Sequence, residues 1–266
     1  MSAAGALSSA PRPAPAGPLA ASLAFGWRSL LKIKHVPEQL GDVLGIPILF
    51  TLMFTYLFGG AVAGSTHGYL EFLLPGTLVL AVVFVTVYTG ITLNRDLATG
   101  AFDRFRSLPV WRPAPIVGGL IGDTGRYLLA ASLVVAVGLV MGYHAPGGPL
   151  GVLAAVTLVI AFAVSLSWAW TALGLLLRTP NAVMSVGFVI LFPITFLSNV
   201  FVAPATMPAG LRAFAHANPI SHLVTAARGL MGGTATAGQV VWVLAATALL
   251  TAVFAPLTTT LYRRRG

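Results

Sequence analysis

The sequence lacks cysteine and is poor in charge. Only 8% of its 266 residues are charged, whereas a soluble domain carries about 25%. Without cysteine the chain has no disulfide, no thiolate metal site and no cysteine nucleophile. Fifteen basic and six acidic side chains cannot cover the surface of a globule of this length, and 57% of the residues are apolar. These values exclude an ordinary cytosolic enzyme, a disordered chain and a secreted disulfide scaffold.

The sequence also lacks the common catalytic and nucleotide-binding motifs. Neither lysine follows a glycine, so the chain has no Walker P-loop, and H-E-x-x-H and G-x-S-x-G are absent. We expect no catalytic residue, no metal site and no cofactor on this chain. The net charge of +9 could indicate a nucleic-acid partner. The basic residues flank apolar runs, however, and therefore indicate membrane topology and no nucleic acid.

Long uncharged runs dominate what is present, and a bilayer-spanning helix needs about 20 mostly apolar residues. The run of residues 127–177 is too long for one helix and breaks at the Pro- and Gly-rich segment 144–149. The pattern predicts an all-α membrane protein. Its six predicted transmembrane helices lie near residues 43–63, 70–93, 118–142, 150–177, 181–203 and 238–261.

The distribution of basic residues predicts the orientation of these spans. Thirteen Lys and Arg residues fall on the side that includes both termini, and two fall on the other side. By the positive-inside rule both termini are cytoplasmic. Residues 1–18, rich in Ala, Pro, Gly and Ser, are expected to form a disordered cytoplasmic tail.

Residues 19–36 precede the first predicted span and have an amphipathic pattern. Leu23 and Trp27 share one helical face, whereas Arg28 and Lys32 lie on the opposite one. This pattern favours a helix in the cytoplasmic membrane interface. The alternative is a simple flank of the first span.

Three further features are candidate functional elements. Residues 94–109 hold the densest charge cluster and predict either a short docking helix or a solvated loop. In the long segment 204–232, Asn218 followed by Pro219 predicts a helix start. We expect two short helices there, or else an external loop without a special role. Asp123 and Arg126, at i and i+3, are candidates for an intramembrane pair. This spacing favours a local ion pair over a proton relay.

Four stretches in the same order make the sequence resemble the permease subunits of ABC-2 type exporters, nearest to the daunorubicin/doxorubicin-resistance type. They are Arg28-Ser-Leu-Leu-Lys32 with Tyr56-Leu-Phe-Gly59, Tyr69-Leu-Glu-Phe-Leu-Leu-Pro-Gly76, Gly100-Ala-Phe-Asp-Arg-Phe-Arg-Ser-Leu-Pro109, and Asn218-Pro-Ile220 with Ala227-Arg-Gly-Leu-Met-Gly232. The resemblance covers residues 20–266 and implies the type V exporter-like architecture, in one transmembrane domain over residues 19–266.

The resemblance also implies roles for the candidate elements. It makes residues 19–36 a cytoplasmic elbow helix and residues 95–109 the coupling helix that seats in a separate ATPase subunit. The implied coupling residues are Arg95, Asp96, Gly100, Phe102, Asp103, Arg104, Phe105, Arg106 and Pro109. It makes residues 204–232 the outer cap of the path. The implied cap residues are Met207, Pro208, Asn218, Pro219 and Arg228.

The expected assembly is two permease subunits with two P-loop ATPase subunits in the bacterial plasma membrane, with ATP and Mg²⁺ bound by the ATPase. The expected cargo is a lipophilic drug, antibiotic or lipid that leaves the cell. One alternative is an ABC-2 permease for a glycan or lipid-linked sugar. A second is a secondary transporter independent of an ATPase, which would need an acidic residue near the middle of a span.

Overall fold

The structure, a computed structural model, describes residues 17–35, 37–99 and 114–264. These residues form nine α-helices and no strand. The helices are α1 (Pro18–His35), α2 (Pro37–Ala63), α3 (Thr66–Ala98), α4 (Ala114–Val140), α5 (Gly148–Leu176), α6 (Pro180–Phe196), α7 (Ala209–Ala217), α8 (Pro219–Gly232) and α9 (Ala237–Arg264). A 3₁₀ turn, Pro204–Thr206, precedes α7.

Four of these helices, α3, α4, α5 and α9, are long and apolar enough to cross a bilayer. Each of the six predicted spans falls on a helix, but α2 and α6 contribute shorter apolar stretches, Ile48–Gly60 and Pro180–Phe196. The chain is therefore a multi-pass helical membrane protein, and the number of six spans stays a prediction.

The fifth predicted span, 181–203, extends too far. Helix α6 ends at Phe196, so Pro193 lies in its last turn and not near its middle. Proline lacks the N–H that would donate to the carbonyl of Val189, four residues earlier, so the helix ladder is interrupted near its end. After it, the Leu197 N–H donates to the Pro193 carbonyl over 2.9 Å, and Ser198 turns the chain back toward Thr195. Residues 197–202 form an irregular turn, called here the linking turn.

Helix α3 is the centre of the fold. It packs against α2, α4, α5, α6 and α8, and nearly all of its residues from 69 to 94 are buried. Its sequence is apolar on every face, which is typical of a helix enclosed by others. Gly90 of α3 and Gly174 of α5 bring the two backbones together, since a Cβ on Gly90 would collide with the carbonyl of Trp170.

A buried polar network links α3, α4 and α5 within the apolar interior. The Tyr127 hydroxyl lies 2.8 Å from Thr89 Oγ1 and 2.6 Å from Ser167 Oγ. Trp170 Nε1 donates to Thr86 Oγ1 over 2.8 Å. Each of these buried polar groups has a partner, as a low-dielectric interior demands. The network fixes the relative rotation of three central helices.

Candidate functional site

The chain starts α8 at Asn218, as the sequence predicts. Asn218 Oδ1 accepts a hydrogen bond from the Ile220 N–H over 2.9 Å, and Pro219 occupies the first helical position. Asn218 Nδ2 donates to the carbonyl of Ile194, near the end of α6, over 2.6 Å. Gly233, with φ +72°, ends the helix in the left-handed conformation. The cap residue therefore also ties α8 to α6.

Met207 and Pro208 lead into α7. Pro208 is the N-cap residue, and its carbonyl accepts from the Arg212 N–H over 2.9 Å. The Arg212 side chain donates to the carbonyls of Met207 and Ala205 over 3.0 and 3.2 Å. Arg212 thus stabilises its own segment and remains exposed to solvent.

Arg228 on α8 is held in a different way, between two other parts of the chain. Its Nε donates to the carbonyl of Phe72 on α3 over 3.0 Å, and its Nη2 donates to the carbonyl of Asn199 over 3.2 Å. Its Cζ lies 3.8 Å from the centre of the Phe72 ring, within cation–π range. Burial lowers the pKa of Arg228 to about 10. The electrostatic influence of nearby Tyr143 raises this pKa by a smaller amount. The guanidinium therefore stays charged at neutral pH.

The linking turn is held on two sides. Asn199 Nδ2 donates to Thr225 Oγ1 of α8 over 2.8 Å, beside the Arg228 contact. The Tyr69 hydroxyl of α3 donates to the carbonyl of Phe201 over 3.0 Å. Gly76 of α3 allows the turn to approach, because a Cβ there would lie 2.9 Å from the Val200 carbonyl. The turn is thus fastened between α3 and α8.

Six phenylalanines from α2, α6 and the linking turn form one continuous cluster, called here the aromatic face. They are Phe50, Phe54, Phe58, Phe192, Phe196 and Phe201. The Phe54 and Phe201 rings are 4.7 Å apart, and the Phe192 and Phe196 rings stack at 4.2 Å. Phe58 and Phe192 are 44% and 53% exposed, whereas Phe201 is buried behind the others.

No motif in the sequence identifies this face as a whole. Its signal was available in part, because Phe50, Phe54 and Phe58 recur at i, i+4 and i+8 on one helix side. The meeting of α2 with α6 and with Phe201 has no local signal, since it depends on tertiary packing.

The structure brings Asp123 and Arg126 together on α4. Arg126 Nη1 lies 2.9 Å from Asp123 Oδ1, and both side chains are about nine-tenths buried, at 11% and 7% exposure. The pair lies in the half of α4 against which α1 packs, because Gly118 contacts Ser22, Phe25 and Gly26. A local ion pair is the arrangement that this geometry shows.

Arg95 and Asp96 lie at the other end of α3 from the linking turn. They belong to the last turns of that helix, which ends at Ala98 with Thr99 as its cap. Thr99 Oγ1 lies within hydrogen-bond distance of the carbonyls of both residues. The remaining predicted coupling residues lie outside the described part of the chain. They are Gly100, Phe102, Asp103, Arg104, Phe105, Arg106 and Pro109.

Residues 18–35 form helix α1, which packs on α4 through small residues. Trp27 lies on the side turned away from α4 and is 65% exposed. Leu19 and Leu23 are also largely exposed. Arg28 and Lys32 lie on the same helix, and their side chains are outside the described part of the structure. Among the described residues, no group of three or more His, Asp or Glu side chains could hold a metal ion.

The fold and these elements define a multi-pass membrane protein in which an irregular turn and the short helix α8 are fastened to the central helix of a bundle. Residues 21–232 match the ABC-2 type transporter family, and the chain belongs to that family. It is a membrane transport subunit, the permease of an ABC transporter.

Relatives support this assignment. The chain is 49% identical to a daunorubicin resistance ABC transporter permease of Streptomyces coeruleorubidus, over 98% of this chain and 92% of the relative. It is 28% identical to a doxorubicin resistance ABC transporter permease of Mycobacterium tuberculosis, over 76% and 74% of the two chains. An inner membrane transport permease of Escherichia coli is 26% identical over 70% and 74%.

Proposed function

We propose that the chain is the permease of an ATP-driven exporter that moves a lipophilic drug, an antibiotic or a lipid out of the cell. The aromatic face carries the proposal for the cargo. Exposed phenylalanine rings on α2 and α6 offer stacking and edge contacts to an aromatic or otherwise apolar molecule. The 49% identity to a daunorubicin resistance permease supports the same class of cargo.

The path is assigned to the first, second and fifth predicted spans of two permease copies: α2 and α6 line it with their aromatic faces, and the enclosed α3 lies behind them. In a monomer the exposed rings of Phe58 and Phe192 face away from the bundle. A second copy would enclose them. The helices α7 and α8 and the linking turn would then cover the outer end of this path.

The energy for transport comes, in this proposal, from a separate P-loop ATPase that binds ATP and Mg²⁺. The segment 95–109 would seat in the ATPase as a coupling helix. Arg95 and Asp96 support this assignment, because they lie at the end of α3 opposite the linking turn. Both permeases and both ATPases would complete the transporter, in a bacterial plasma membrane.

Helix α1 is assigned to the cytoplasmic membrane interface, and both termini to the cytoplasm. Its outer side carries Leu19, Leu23 and Trp27, which are suited to headgroup depth. Its other side is occupied by α4. The six predicted spans, the orientation of the termini and this interfacial helix form one topology.

Crosslinking tests the assembly. The tagged chain is crosslinked in its own membranes, purified, and its crosslinked peptides are identified by mass spectrometry. We expect a P-loop ATPase joined to residues 95–109. Recovery of the chain alone, or only with partners that lack a nucleotide site, would overturn the ATPase assignment and favour secondary transport.

Transport itself is tested in inverted vesicles that contain the permease and the ATPase so identified. Daunorubicin is the probe, and its ATP-dependent accumulation is the readout. We expect accumulation with ATP and none with a non-hydrolysable analogue. A matched variant, Phe58→Ala with Phe192→Ala, is expected to raise the KM for daunorubicin, since two exposed rings of the aromatic face are lost. An unchanged KM would contradict the cargo assignment.

A further inference from the structure

Arg228 is a partly buried cation without a carboxylate partner among the described residues. The ion pairs in that part of the chain are His67 with Glu71 and Arg126 with Asp123. Arg228 instead donates to the carbonyls of Phe72 and Asn199 and lies over the Phe72 ring. Partial removal of a charged group from water is costly unless its contacts compensate, so this arrangement indicates a role beyond packing.

The contacts of Arg228 join parts that are far apart in sequence. One carbonyl belongs to α3 and the other to the linking turn, and the guanidinium comes from α8. Thr225, at i−3 on the same side of α8, accepts from the side chain of Asn199. Arg228 and Thr225 of α8 therefore both hold Asn199 of the linking turn. Arg228 binds its backbone carbonyl, and Thr225 binds its side-chain amide.

The same turn carries Phe201, the buried member of the aromatic face. Its ring packs against Phe54 at 4.7 Å and Phe196 at 5.2 Å. Phe201 lies two residues after Asn199, so a displacement of the turn displaces the ring that supports the exposed phenylalanines. The hydrogen bonding of the linking turn is incomplete, because Asn199 Oδ1 is buried without a hydrogen-bond partner among the described residues. Such an unsatisfied acceptor weakens the attachment of the linking turn to α8.

We infer that Arg228 is a positioning residue of the cargo site: through Asn199 it holds the linking turn, and with it Phe201, so that the aromatic face keeps its shape. That the aromatic face binds cargo rests on the proposed function. That Arg228 positions the linking turn does not. Without the guanidinium, the Thr225 contact alone holds Asn199 to α8, and the aromatic face loses part of its support.

The positioning is tested by a distance measurement that needs neither cargo nor ATPase. Because the chain has no cysteine, His67→Cys and Val202→Cys place one spin label at the start of α3 and one on the linking turn. Both native side chains are exposed. The full chain is reconstituted in lipid nanodiscs and diluted with unlabelled chain. Double electron–electron resonance then gives the distance distribution within one copy.

We expect one narrow distance population in the unsubstituted background. Arg228→Met keeps an unbranched apolar stem but removes the charge and every donor, so the population should broaden and shift. Arg228→Lys retains the charge but cannot span two carbonyls as a planar guanidinium does. Its distance distribution should lie between those of the background and of Arg228→Met. The matched control is Arg212→Met, which removes the neighbouring exposed arginine and should leave the distribution unchanged. A distribution for Arg228→Met that superposes on the background would overturn the inference.

A second readout separates positioning from a merely structural role. In the vesicle assay, Arg228→Met should raise the KM for daunorubicin severalfold while ATP hydrolysis continues, and Arg228→Lys should restore part of the difference. A loss of maximal rate alone, in proportion to the folded protein, would contradict positioning. If Arg228→Met does not fold, Thr225→Val decides. It removes the Asn199 contact together with the hydrogen bond that Thr225 donates to the Ser221 carbonyl within α8, and it should broaden the distance population. Absence of transport by the unsubstituted protein would overturn the proposed function and leave the distance result standing.

Discussion

Individual polar residues determine how the irregular end of this membrane protein is held together. Asn218, Asn199 and Arg228 each join two segments. Asn218 and Arg228 donate to backbone carbonyls, and Asn199 donates to the Thr225 hydroxyl. Carbonyls exposed by a turn inside an apolar environment must find donors. Side-chain amides and a guanidinium provide these donors where no helix ladder can. Loss of one such residue should therefore affect more than its own helix.

Asn218→Ala should destabilise the purified protein by roughly 1–2 kcal/mol, because the change removes the N-cap of α8. It also removes the hydrogen bond to the Ile194 carbonyl. The measurement is the midpoint of thermal denaturation in detergent. Asn181→Ala is the matched control, since Asn181 is exposed on α6 and Thr179 caps that helix. Equal midpoints for the two variants would refute the capping role.

At the scale of single elements, α3 organises the bundle. Its hydrophobic run and its length predict a span, but the sequence does not show that this span lies at the centre. That position follows from close backbone contact at Gly90 and Gly174, and from Asn94, whose Nδ2 donates to the carbonyls of Gly174 and Leu177. In a bilayer, such close packing and interhelical hydrogen bonds replace the hydrophobic effect as the force between helices.

Gly90→Ala should destabilise the bundle, although alanine is the better helix former by about 1 kcal/mol. The added methyl group would collide with the Trp170 carbonyl and separate α3 from α5. We expect a net loss of about 1–3 kcal/mol, typical of overpacking. Thermal denaturation of the purified chain measures it.

The control for this change is Gly119→Ala on α4. A Cβ at Gly119 meets nothing within 4 Å, so this substitution should be neutral or stabilising. If both alanine variants denature at the same temperature as the unsubstituted protein, the close contact of α3 with α5 is not important for stability.

At the scale of the whole molecule, orientation in the membrane is accessible to labelling because the chain has no cysteine. His144 lies between α4 and α5, and Arg178 lies between α5 and α6; both are exposed. We expect a membrane-impermeant maleimide to label His144→Cys in intact cells and to leave Arg178→Cys unlabelled. In inverted vesicles the pattern should be reversed. Labelling of both sites from one side would show that α5 does not span the bilayer.

Coupling to ATP hydrolysis is the second property of the assembled transporter. The double variant Phe102→Ala with Arg104→Ala removes the apolar and the charged contact expected in the ATPase groove. ATP-driven accumulation of daunorubicin should fall by roughly tenfold or more, equivalent to about 1.4 kcal/mol of lost coupling. Arg178→Ala serves as the control on the same predicted side, with no expected effect. Export at the unsubstituted rate in the double variant would exclude docking at these positions.

The sequence predicts the elements well where the signal is local. Uncharged runs locate the long helices, Asn218 and Pro219 locate the start of α8, and the family of the chain is recognisable from short stretches. The end of α6 at Phe196 was predicted incorrectly, since apolar residues continue through the linking turn. Hydropathy records composition, and it cannot distinguish a helix from an irregular turn that is enclosed by protein.

The sequence by itself therefore determined that this is a helical membrane protein, because composition, run length and capping residues act over a few neighbouring positions. The ABC-2 type was indicated by the resemblance of four short stretches. Only the tertiary structure decided that α3 is central, that the phenylalanines form one face, and that Arg228 holds the linking turn. These features join residues far apart in the chain, 156 positions for Arg228 with Phe72 and 132 for Tyr69 with Phe201. Such contacts arise from packing of whole helices, and one sequence has no local pattern that specifies them.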